Sequence, residues 1–267
     1  MSHELRQLSY AALAAGARQA CIAPCDHTGY FSSFDQNLID GLPLESIVGD
    51  LASGAGKELD GKLCAAHSSA ALVVNTFGPW RRDPRMLRIG GVTGFETMRF
   101  EARCPTGLGG TPPHLDLLAY GDSPVAIESK CTEWMEPKPA QFSASYDRLR
   151  ATHGHSPWFA QIEQLRMNPT RYQYVDAAQL VKHALGLMSC FGERTVRLIY
   201  LYWEPRNRAD WPECRTHREE SEDLASRAAG SSISLIPMSY HDLWAEWDRP
   251  NPPAHLALLR LRYDREV

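Results

Sequence analysis

No run of apolar residues in this sequence approaches the length that crosses a bilayer, which excludes a membrane-spanning helix. The chain also lacks an excess of positive charge. With 22% charged residues and a net charge of −4, it is no general basic coat for nucleic acid. There is no HExxH helix and no GxSxG elbow. Ser53-Gly54-Ala55-Gly56-Lys57 misses a phosphate loop, because Leu51 stands in place of the first glycine and Glu58 in place of the Ser/Thr. Gly107-Leu108-Gly109-Gly110 runs into prolines and opens no helix, so it forms no dinucleotide motif. The seven cysteines are odd in number and lack framework spacing, which points to a reducing compartment. Cys21, Cys25 and His27 together with Cys214 and His217 are weighed as a zinc set, without the paired CxxC spacing of a strong motif. Glu4, Arg6 and Arg18 interrupt the N-terminal stretch, so a secretory leader is not expected and the expected place is the cytoplasm.

What is present is enough apolar material for a core, 43% of 267 residues, in a single domain over 1–267. A first helix runs to about Ala20 and residues 21–43 read as loop. Pro43 opens a second helix, and a third spans 68–77. Strands are expected over 94–104, 115–120 and 125–132, and residues 136–171 read as an insertion. The best helix is 172–191, with Gln179, Lys182 and His183 towards its polar side; a buried strand over 195–203 follows. A charged helix over 217–229, a strand over 232–238 and helices after Ser239 and His255 complete the chain. The expectation is an α/β domain with a mixed central sheet flanked by helices and helical additions at both ends. Its core covers about 44–203, between an N-terminal extension (1–43) and a C-terminal one (204–267).

The chemistry concentrates between His114 and Thr132. Gly121-Asp122-Ser123-Pro124 is the turn of a hairpin, and folding about Asp122 sets Asp116 opposite Glu128. Alternation places Glu128 and Lys130 on one face. Two carboxylates and an ammonium then converge on one side of a largely apolar sheet, which suits a divalent cation and water. The bland alternative is a salt bridge across an ordinary surface hairpin. Arginines bunch at 81–88, 148–150 and 206–208, each either a phosphate contact or a solvated face.

Pro113-His114-Leu115-Asp116 followed by Glu128-Ser129-Lys130, inside a helix, three strands, helix, strand order, resembles the PD-(D/E)xK nuclease superfamily. The proline stands three residues before the aspartate instead of beside it. The resemblance implies the restriction-endonuclease-like αβββαβ core. It also implies Asp116, Glu128 and the Ser129 carbonyl as ligands of Mg2+, with Mn2+ as a substitute, and Lys130 near the attacking water. It further suggests Glu58 as an additional metal-binding acid and Gln179 as a helix residue of the site. The implied activity is metal-dependent hydrolysis of duplex DNA, with a homodimer as one way to meet two strands. The alternatives are a catalytically inactive DNA-binding or assembly module of the same fold, and a small-molecule enzyme with incidental acids.

Overall fold

The computed structural model describes residues 2–20, 25–52, 61–248 and 251–267. Three helices come first: α1 (Ser2–Ala20), α2 (Leu44–Ala52) and α3 (Ser69–Phe77). Strands β1 (Thr97–Arg103), β2 (His114–Tyr120) and β3 (Val125–Lys130) follow. The segment read as an insertion holds α4 (Arg150–His153) and α5 (Pro157–Met167), leading to α6 (Ala177–Phe191) and β4 (Val196–Tyr202). The chain continues through α7 (Pro212–Arg227), β5 (Ile233–Ser239), α8 (Tyr240–Trp247) and α9 (Leu256–Tyr263). No helix among the described residues is long and apolar enough to cross a membrane.

The helices start where side chains satisfy their first amides. Ser68 accepts from Ala71 N–H, Asp176 from Gln179 N–H, and Ser239 with Asp242 forms a capping box. Two starts differ from the periodicity. The expected helix at Tyr172 begins only at Ala177, because Glu220 of α7 accepts the N–H groups of Gln173, Tyr174 and Val175. The charged helix expected from His217 begins at Pro212, where a proline fits the first turn.

The five strands lie in sequence order in one sheet. β1–β2 and β2–β3 are antiparallel, while β3–β4 and β4–β5 are parallel. Leu117 pairs with Ile127, Leu118 with Ala126 and Ala119 with Val125, a register centred on Asp122 as the turn required. β3 and β4 are buried nearly throughout, as parallel neighbours covered on both faces are. Successive residues of β3 reach opposite layers: Lys130 meets Gln179 of α6, and Ser129 Oγ lies 2.7 Å from Tyr240 OH of α8.

The two extensions are tied to each other. α1 packs on α9, and a Cβ at Gly16 would stand 2.0 Å from the Arg262 carbonyl oxygen, so only glycine admits this approach. Arg262 is fully buried and donates to Asn37 Oδ1. The Asn37 amide in turn donates to the carbonyls of Leu63 and Ala65 at 2.5 and 2.8 Å. A buried polar chain of this kind holds only when every member is paired. Here it fixes the segment around residues 30–39 against the residues that lead into α3.

Candidate active site

Beyond the Leu117–Ile127 pair the β2–β3 ladder ends, and side chains take over. The Asp116 carboxylate accepts the Ser129 backbone N–H at 2.6 Å. Lys130 Nζ donates to Glu128 Oε1 at 2.6 Å and to Gln179 Oε1 at 2.9 Å. Asp116, Glu128, Ser129, Lys130 and Gln179 all line one cavity of about 520 Å³. The hairpin and the N-terminal turn of α6 therefore gather these five expected residues. Glu58 lies outside the described residues.

Two residues of the site carried no functional weight in the sequence. His183 was placed towards the polar side of α6, but it is buried, with Nε2 2.9 Å from Glu128 Oε2. The two atoms stand at ion-pair distance without hydrogen-bond alignment. The signal was there: His183 is four residues after Gln179, so the two share a helix face. Glu101 lines the same cavity, opposite Asp116 in the register set by Phe100–Leu117 and Ala102–Leu115. Its φ of +48° is rare for a residue with a Cβ, and such backbone costs of order 1–3 kcal/mol.

The charges are strongly unequal. Burial and the adjacent Glu128 carboxylate push Asp116 well above the usual carboxylate range. Burial also opposes ionisation of Glu128, but Lys130 and His183 outweigh it and hold that carboxyl down at about 2. For Lys130 burial disfavours the ammonium, yet Glu128, Asp116 and Glu133 raise its pKa above the usual value. In the metal-free protein Lys130 is a fixed cation, suited to stabilising charge and to positioning.

Five carboxylates line the cavity (Glu101, Asp116, Glu128, Glu133 and Glu136), against Arg6, Lys62 and Lys130. A polyanion meets a negative wall there unless a cation accompanies it. Among the described residues no three His, Cys, Asp or Glu side chains converge to hold a metal. Magnesium needs fewer, since one or two carboxylates with water and a substrate oxygen suffice. Asp116 and Glu128 fit that donor set, and the crowding that keeps Asp116 from ionising is what a cation relieves.

The zinc candidates separate. Cys25 packs in a small cluster with Ala14, Ala17, Phe31 and Ala66, whereas Cys214 belongs to the main core and Cys21 lies outside the described residues. His217 Nε2 meets Tyr200 OH at 2.8 Å and its ring stacks on Trp134 at 4.2 Å. Burial, with Arg218 nearby, lowers the His217 pKa to about 3. The unfolded chain binds a proton below about pH 6.5 that the native state refuses until about pH 3, so this imidazole costs stability as pH falls through that window. His217→Gln is expected to flatten the pH dependence of stability by about 1.4 kcal/mol per unit across it. Urea unfolding at a series of pH values measures the slope, and equal slopes in the two proteins would contradict this account.

Most of the bunched arginines are engaged within the chain. Arg81 pairs with Asp50, Arg82 with Glu45, Arg88 with Glu246, Arg150 with Glu163, Arg206 with Glu266 and Arg208 with Glu204. Comparison with known families finds one model, described as restriction endonuclease associating with ARP, that matches residues 14–264. No curated protein and no solved structure matches the chain.

Proposed function

Because the chain belongs to the family of restriction endonucleases associating with ARP, we propose that it is a magnesium-dependent endonuclease that hydrolyses DNA. The observation that carries this is the convergence of Asp116, Glu128, Lys130 and Gln179 in one negatively lined cavity. The substrate in this reading is DNA delivered as a duplex, and a homodimer would supply one site per strand.

Asp116, Glu128 and the Ser129 carbonyl would hold the metal, with Glu58 as a further ligand. Mn2+ would substitute for Mg2+ at oxygen ligands of this kind. When bound, the ion supplies a water of lowered pKa and positive charge against the phosphoryl oxygens. The protein's own part is positional. Lys130, kept cationic and aimed by Gln179, sets an ammonium where negative charge grows on the phosphoryl oxygens. Glu128, held between Lys130 and His183, keeps one orientation before substrate arrives.

Supercoiled plasmid incubated with the purified protein and Mg2+ is expected to be nicked and linearised, and EDTA is expected to stop the reaction. Cleavage that continues in EDTA would remove the metal from the proposal. Binding of DNA and Mg2+ without any cleavage would instead identify a non-catalytic module of the same fold.

A further inference from the structure

The charged pair is recessed: the Glu128 side chain is only 3% exposed and that of Lys130 15%. The cavity that reaches them has a second, aromatic wall, built by the N-terminal segment and the residues before α3. His67 stacks on Tyr10 at 3.8 Å and 17°, and Arg6 lies over the Tyr10 ring at 5.2 Å. Arg6 also pairs with Glu136, so Tyr10 and His67 already spend ring faces on neighbours. Tyr30 meets His67 only edge-on, at 5.8 Å and 85°, and remains 45% exposed.

The backbone under Tyr30 is rigid. Asp26 Oδ1 accepts from Thr28 N–H and Tyr30 N–H, Asp26 N–H donates to the Tyr30 carbonyl, and Phe31 N–H donates to Cys64. Tyr30 also bridges Ala65, whose carbonyl receives the Asn37 amide pinned by Arg262. Gly29, at φ +87°, makes the bend. With the backbone held this way, only the side chain's own rotation is lost when another ring stacks on it.

We infer that the cavity takes one unpaired nucleotide, its base stacked on Tyr30 and its phosphate against Lys130 and the cation that Asp116 and Glu128 would hold. This rests on the nuclease reading and adds to it that the strand is unpaired where it is cut. A volume of about 520 Å³ is that of a small-molecule pocket, room for a single nucleotide, and a base that stacks on Tyr30 inside it has left its own helical stack. Aromatic stacking accepts any base, because every base has a π face. The duplex expected from the sequence is then the delivered form, opened locally by a gap, a frayed end or an extruded nucleotide.

The test uses the full chain and oligonucleotides carrying 2-aminopurine, with phosphorothioate linkages that resist cleavage, in Mg2+. Three forms of one sequence are compared: single-stranded, fully paired, and paired with a short gap. The expected result is fluorescence quenching and tight binding for the single-stranded and gapped forms, and about tenfold or more weaker binding for the paired form. Tyr30→Ala is expected to weaken single-strand binding about tenfold, and Tyr30→Phe to recover most of it. Equal binding of all three forms, or no effect of Tyr30→Ala in a variant that melts like the parent, overturns the inference. Unmodified substrates separate the two levels. Equal cleavage of paired and gapped DNA sinks the unpaired-strand inference alone. Quenched binding of the single strand with no cleavage of any form sinks the nuclease reading and keeps the stacking assignment.

Discussion

Replacing Asp116 by asparagine is expected to lower magnesium-dependent cleavage by about 10²–10³-fold or more while leaving the protein at least as stable as before. The two halves of that result have one origin. Burial and Glu128 keep the Asp116 carboxyl above its ordinary pKa, so in the metal-free fold this acid already resists ionisation. An amide of the same shape still accepts the Ser129 N–H and removes the repulsion with Glu128. What it cannot do is offer a charged oxygen to a cation. Thermal melts without metal, run beside nicking assays with Mg2+, read both quantities. A variant that loses activity only because it unfolds would undo the assignment of Asp116 to the chemistry.

Lys130→Ala is expected to behave differently, because it damages fold and activity together. The Glu128 side chain is 3% exposed and loses the ammonium 2.6 Å from one of its oxygens. Removing one partner of a buried pair costs about 3–5 kcal/mol, since the remaining charge is stranded. His183 stays beside the other oxygen and limits the loss. The double replacement Glu128→Gln with Lys130→Met is expected to be more stable than Lys130→Ala alone, because no buried charge is left, while cleavage is lost in both. Chemical denaturation of the parent, Glu128→Gln, Lys130→Met and the double closes the cycle. If Lys130→Ala unfolds at the same denaturant concentration as the parent, the pair contributes nothing to the fold, and its role is confined to substrate.

Much of this architecture was legible in the sequence because it is local. The turn at residues 121–124 fixes the hairpin register within a dozen residues, and alternation along β3 then decides which side chains share a face. Apolar periodicity located the helices, and capping residues explain the boundaries it misplaced: Tyr172 reads as helical until Glu220, far along the chain, takes the local amides. Gln179 was found through family resemblance. His183 was missed although it shares a helix face with Gln179, because that face read as polar and the helix alone does not say which neighbour covers it. The aromatic wall was invisible for the same reason. Tyr10, Tyr30 and His67 are separated by long stretches of chain, and only tertiary packing sets their rings together. Glu101 alternates correctly on β1, and nothing in its composition announces its inverted backbone.

The hydrogen bond from Lys130 to Gln179 joins residues 49 positions apart, with α6 itself seated between β3 and β4 in the sequence. During synthesis the acid-bearing hairpin therefore leaves the ribosome well before the helix that steadies its amine. Until α6 has emerged and β4 has zipped alongside β3, the growing polypeptide carries the carboxylates and Lys130 without Gln179 and His183 beside them. On the nuclease reading proposed above, the nascent chain is expected to stay inactive until α6 has docked.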